Sequence, residues 1–201
     1  MSSEPTALQR HARYFDRDRS GTIRWGETVA GMRALGVGRI WSAILSTIIH
    51  AALGPITQRR AAFGVVVAEI ARGKHPSDTG VFDAEGRFVE ERFDALFASA
   101  SPGPDGARDR LTRKEMRAFQ NANRSRSRAG DFFSFAEIKL FFCVASDTWK
   151  QEDGASVPAI SRRRLRAFYR GTLLPALARH RRLRARGRRF RAELNEPSRG
   201  E

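Results

Sequence analysis

The sequence predicts a mainly α-helical fold assembled from helix–loop–helix units. Three observations carry that expectation. Residues 16–27 have the spacing of acidic, hydroxyl and glycine residues found in a twelve-residue cation loop, with helical apolar periodicity on both sides. A weaker loop outline, acidic residues followed by glycine and then an apolar or β-branched residue, recurs around Gly86 and around Gly154. Between the first two outlines lies the most apolar part of the chain, residues 40–71, broken by Gly54-Pro55 and by Gln58-Arg59-Arg60.

The first loop sets the pattern. Asp16 stands at position 1, Asp18 at 3, Ser20 at 5, Gly21 at 6, Thr22 at 7 and Glu27 at 12. Ca²⁺ takes six to eight oxygens, and this spacing brings side chains 1, 3 and 5 to one side of the ion. Glycine at 6 allows the sharp turn, position 7 offers its carbonyl, and glutamate at 12 closes the shell with two oxygens. The expected metal ligands are therefore Asp16, Asp18, Ser20, Thr22 and Glu27. Arg24 at position 9 cannot ligate, and with Arg17 and Arg19 it predicts an affinity below that of a dedicated calcium buffer. Thr6 is placed to cap an entering helix that reaches about Phe15, and Glu27 to Leu35 reads as the exiting helix, stopped by Gly36. This is an EF-hand-like unit.

The apolar segment, within residues 37–71, reads as two short helices with a polar bend. Ile40 to Leu53 would span about 21 Å as a helix, short of a hydrocarbon core of roughly 30 Å. Ala61 to Ala71 contains only Glu69 as a charge. Such a hairpin lies either in a membrane interface or in a soluble core, and the sequence leaves both open. Residues 81–175 read as degenerate units without metal, because Arg92 and Ile160 stand where the closing glutamates would be. Helices are expected over Glu90 to Ser99, from the Thr112–Glu115 capping box onward, over Phe132 to Ala145, and from Ser161 to about Arg170. Residues 101–110 read as a linker and Asn121 to Gly130 as an exposed polar stretch. The organisation is one domain, residues 1–178, followed by a basic tail, 179–201.

Composition limits the function. The net charge is +15, with Arg supplying 33 of the 37 basic residues, which makes a field attractive to anionic surfaces. The single cysteine, Cys143, excludes an internal disulfide and fits a reducing compartment. No basic-then-apolar signal pattern opens the sequence, and no 18-residue apolar run is free of charge. The Arg-rich tail lacks interleaved aromatics or a groove-reading motif, so specific nucleic-acid binding is not expected.

The order of these pieces resembles the caleosin family. Leu8-Gln-Arg-His-Ala-Arg-Tyr-Phe-Asp is similar to its lead-in to the calcium loop, and Gly31-Met-Arg-Ala-Leu-Gly to the block after it. Lys74-His-Pro-Ser-Asp-Thr-Gly, Phe82-Asp-Ala-Glu-Gly-Arg-Phe, Leu111-Thr-Arg-Lys-Glu and Tyr169-Arg-Gly-Thr-Leu resemble later blocks. The likeness runs over about residues 8 to 175 with order and spacing kept. It differs at Pro55, nearly alone where the family has a proline cluster, and at Pro76, where the family has glycine.

The resemblance implies a calcium-binding protein of lipid droplets or the endoplasmic reticulum, facing the cytosol, and a haem peroxygenase acting on fatty acids. It implies His11 and His75 as the residues serving a non-covalent haem b, with Ca²⁺ in the loop. A neutral imidazole is a competent axial ligand. The expected partners are an anionic membrane or droplet surface and a fatty-acid substrate; self-association is left open, as is a soluble cytoplasmic location. The competing reading is a haem-free, calcium-responsive protein of a membrane surface. A purely basic nucleic-acid binder ranks last.

Overall fold

The computed structural model describes residues 4–74, 79–103, 106–122 and 138–195, with side chains as far as 187. Its first part is organised on a small two-stranded ladder. Thr6 caps helix α1 (Ala7–Arg13): its hydroxyl accepts the Gln9 N–H, and the Gln9 side-chain oxygen accepts the Thr6 N–H. The loop 16–27 follows, carrying strand β1 (Thr22–Ile23) and leading into α2 (Trp25–Ala34). Gly21 makes the turn with φ +80°, a conformation other residues adopt with strain. After α3 (Arg39–Gln58), strand β2 (Val65–Val66) returns antiparallel to β1, with Thr22 opposite Val66 and Ile23 opposite Val65. A 3₁₀ helix, Val67–Gly73, completes this part. Ala12, Ile23, Val65, Val67 and Ile70 form its small core.

The apolar segment is not the expected pair of helices. Its first run does not stop at Gly54-Pro55; α3 continues to Gln58. Pro55 removes one helical hydrogen bond, to Ala51, but both residues are exposed, so water can take the freed carbonyl. The Thr57 hydroxyl meanwhile donates to the Leu53 carbonyl at 2.8 Å. The second run is loop, strand and 3₁₀ helix. Its β-branched Val65 and Val66 pair with β1 and do not continue a helix.

The second part holds α4 (Glu90–Ala98), β3 (Arg110–Thr112), α5 (Arg113–Ala122), the described portion of α6 (138–145), β4 (Thr148–Glu152), β5 (Ala155–Ser161), α7 (Arg162–Tyr169) and α8 (Leu173–Asn195). The three strands form an antiparallel sheet in the order β3-β5-β4. Thr112 and Glu115 make the expected capping box at the start of α5. Phe93, Leu96, Phe97, Leu111, Ile160 and Leu165 are fully buried between sheet and helices, joined by Tyr169 and by Leu173, Leu174 and Leu177 of α8.

Neither degenerate loop is a helix–loop–helix remnant. Around Gly86 the chain makes a tight turn closed by the Phe82–Phe88 bridge, and Arg87 takes both Asp83, at 2.7 Å, and Glu85, at 2.9 Å. Around Gly154 it makes a β-hairpin. Asp153 (φ +50°) and Gly154 (φ +79°) form the two-residue turn, with Glu152 opposite Ala155. The basic tail is continuous with the domain: α8 begins on the core and runs past residue 178 without a break.

Candidate functional site

The loop between α1 and α2 brings the ligand atoms of Asp16, Asp18 and Glu27 within 4.8 Å of one another. Asp16 is buried. Its Oδ2 accepts the Gly21 N–H at 3.0 Å, while its Oδ1 is buried without a hydrogen-bond partner among the described residues. A buried carboxylate oxygen left unmatched is unfavourable unless a cation or donor reaches it. Glu27 folds back over the loop: Oε1 accepts the N–H groups of Arg17 (2.8 Å) and Asp18 (3.1 Å), and Oε2 that of Arg24 (2.8 Å). The Ser20 hydroxyl donates to the Thr22 carbonyl at 3.1 Å, which places these two oxygens together in the same loop. Three carboxylates, a hydroxyl and a carbonyl are a hard, all-oxygen donor set, and with the orphaned Asp16 oxygen they fit Ca²⁺. Asp18 is held below the usual carboxylate range by Ser20, through hydroxyl and amide, and to a smaller extent by Arg24. Arg24 also forms an ion pair with Asp18 at 2.7 Å.

His11 lies on α1, the helix entering the loop. It is half-buried, with its ring edge-on to Phe168 of α7 at 4.6 Å. Gly171, between α7 and α8, lies flat against its backbone: a Cβ there would come within 2.7 Å of the His11 nitrogen. His75 lies outside the described residues. Thr79, just beyond it, shares a 2.7 Å hydrogen bond with the Tyr169 hydroxyl, next to Phe168. His11 is thus positioned by Phe168 and Gly171, while His50 has its own aromatic neighbour, Phe63, at 5.3 Å.

His50 is placed differently. It is fully buried in α3, and both ring nitrogens are committed. Nδ1–H donates to the Phe63 carbonyl at 2.5 Å, which leaves Nε2 to accept the Thr28 hydroxyl at 2.8 Å. Burial holds its pKa below the usual imidazole value. Thr28 directly follows Glu27, so His50 ties α3 and the segment at Phe63 to the end of the loop 16–27. His180 is exposed on α8.

Helix α3 is apolar on the outside. Ser42, Ser46 and His50 are fully buried, while Ile40 is 73% exposed, Trp41 64% and Ile44 44%. By length and composition it is the one described helix able to cross a membrane.

A family model described as "Caleosin related protein" matches residues 3–178. The chain belongs to the caleosin family. It is 32% identical over 186 residues to "Probable peroxygenase 4" of Arabidopsis thaliana, covering 90% of each chain. Against "Peroxygenase" of Lilium longiflorum it is 31% identical over 182 residues, 88% of this chain and 71% of that one. "Probable inactive peroxygenase-like protein" of Arabidopsis thaliana is 28% identical over 154 residues, 75% of this chain and 69% of that one. No solved structure matches. Two features of this caleosin escaped the sequence reading. The partner of the metal loop is residues 58–69, signalled only by the Gly64-Val65-Val66 run, and His50 is a structural clasp whose partners are distant in the chain.

Proposed function

We propose that this caleosin is a calcium-binding haem peroxygenase acting on unsaturated fatty acids or their hydroperoxides at a lipid surface. The observation that carries the reading is the junction of α1 and the loop: His11 and a cation-ready carboxylate cluster sit on one continuous element, in a chain whose peroxygenase relative matches 90% of its length. Haem, held by His11 and His75, would supply the oxygen-transfer chemistry. The chain's part is to orient. Phe168 and the close-packed Gly171 hold the last turn of α1 at His11, and Ca²⁺ on Asp16, Asp18, Ser20, Thr22 and Glu27 would fix the loop that leaves the same end of that helix. Calcium should therefore tighten haem ligation, by a factor in the usual range of roughly 5 to 150 for coupled sites.

The visible spectrum of the purified protein tests this. A Soret band that shifts or fades in His11→Ala and His75→Ala supports the reading; a colourless protein that cannot be reconstituted overturns it. Oxygen transfer from a fatty-acid hydroperoxide should fall with chelator and in Glu27→Gln. The second reading, a haem-free calcium-responsive lipid-surface protein, is favoured by the relative named as inactive, and the colourless outcome selects it.

The surface itself is argued from α3. Its exposed Ile40, Trp41 and Ile44 can lie in a bilayer interface or droplet monolayer while its polar face stays packed on the protein. The basic α8 adds attraction to anionic headgroups. These features support association with a droplet or endoplasmic-reticulum surface, and flotation with anionic vesicles at low salt checks it.

A further inference from the structure

A cavity of about 690 Å³ opens between α5, α6 and the β4–β5 hairpin, away from the metal loop. Its size is that of a small-molecule site. Ile138 and Phe142, one turn apart on α6, form its apolar floor with Val157 and Pro158 of β5. Its rim is cationic. Lys114 is already held by Asp153 at 2.8 Å, but among the described residues no carboxylate pairs with Arg113 or Lys139. Glu152 also lines the cavity, and it accepts the Thr112 hydroxyl at 3.0 Å. An apolar trough with unpaired cations at its mouth is complementary to one ligand class, an acyl chain that ends in a carboxylate.

The cavity is joined to His11 by a run of rings. Phe142 meets Phe141 edge-on at 5.8 Å, Phe141 meets Phe168 at 4.3 Å, and Phe168 meets His11 at 4.6 Å. We infer that this cavity binds long-chain fatty carboxylates, with the chain on Ile138, Phe142 and Val157 and the head between Arg113 and Lys139. As a site that serves oxygen transfer it rests on the peroxygenase reading; as a binding site it does not. Each methylene it buries strengthens binding by up to about fourfold.

Cys143 supplies the probe. It is the chain's single cysteine, it is exposed, and it lines this cavity. The experiment measures the rate at which iodoacetamide alkylates Cys143 in the full calcium-loaded protein, with oleate titrated in below its aggregation limit. Saturating oleate is expected to slow alkylation at least tenfold. Arg113→Glu with Lys139→Glu, both at exposed positions, should raise the oleate needed by at least tenfold, and so should replacing oleate with its methyl ester in the unaltered protein. If the double variant fails to fold, the ester comparison decides alone. Unchanged alkylation with oleate, equal protection by the ester, or protection by inorganic phosphate overturns the assignment. Protection in a protein that takes up no haem upholds the cavity and removes only its link to peroxygenation.

Discussion

Loops 16–27 and 58–69 present the two strands of one ladder, yet only the first is equipped for a cation. Ile23 and Val65 face each other as the eighth residues of their loops. By that register Gln58 stands where Asp16 does, Arg60 where Asp18 does, Phe63 where Gly21 does, and Glu69 where Glu27 does. Glu69 keeps its carboxylate but spends it on Arg72, at 2.8 Å. The second loop is closed by protein groups: the Gln58 amide donates to the Gly64 carbonyl at 2.7 Å, His50 to that of Phe63, and the Thr57 hydroxyl accepts the Val66 N–H at 3.2 Å. The same backbone frame is thus closed by neutral groups on one side and by a carboxylate cluster, with one buried Asp16 oxygen left unmatched, on the other.

The largest effect expected from this contrast is on calcium itself. Glu27→Gln removes charge from the ligand that closes the shell and should weaken binding on the order of 100-fold, since affinity follows ligand charge. Glu69→Gln should leave it unchanged. Calorimetry that finds two sites, or a loss in Glu69→Gln, would show that the second loop also holds metal.

The next effect concerns the clasp between the loops. Thr28→Val removes the donor to His50 Nε2 and leaves a buried acceptor unmatched, so stability should fall by about 1–3 kcal/mol. The same clasp sets a pH dependence. Burial depresses the folded-state pKa of His50, against opposing contributions from the Phe63 carbonyl and Glu27. Its neutral form therefore contributes stability that is intact above the ordinary imidazole value of about 6.5 and is lost as the pH falls from there towards the depressed folded value. The urea midpoint of the unaltered chain should drop more between pH 7.5 and 5.5 than that of His50→Gln. Parallel drops would mean that His50 already titrates normally in the fold.

The contrast also marks what the sequence could convey. The carboxylate cluster of the first loop was legible because it is local: Asp16, Asp18 and Glu27 fall within twelve residues, and spacing alone encodes their convergence. The caps at Thr6 and Thr112 were legible for the same reason. The second loop was hidden because its identity lies in the register Ile23–Val65, a pairing across 42 residues of sequence. Helix α3 was expected to be short because Gly54-Pro55 resembles a stop, whereas Pro55 is exposed and the helix runs on to Gln58. The three-stranded sheet was overlooked although Asp153-Gly154 is a strong two-residue hairpin signal; acidic residues before a glycine resemble a worn cation loop equally well.

The smallest effect tests the charge that both loops share. Arg24 in the first and Arg60 in the second are exposed cations, but only Arg24 touches a carboxylate that an ion would use. Its guanidinium sits 2.7 Å from Asp18 Oδ2, and Ca²⁺ must compete for that oxygen. The pair is well exposed, with the arginine 70% and the aspartate 41% accessible, and Ser20 does more than Arg24 to hold the Asp18 carboxyl low. An exposed, solvent-screened pair of this kind contributes little, so its removal can tighten calcium by no more than about fivefold. Arg24→Gln is expected to tighten binding two- to fivefold, an order-of-magnitude range set by that ceiling. Arg60→Gln should do nothing. Because the competition is electrostatic and solvent-exposed, the gain should shrink when salt is raised from low to near-physiological strength. Calorimetry on both variants at two salt concentrations makes the measurement. If Arg24→Gln weakens calcium binding, Arg24 is organising Asp18 for the ion and not competing with it.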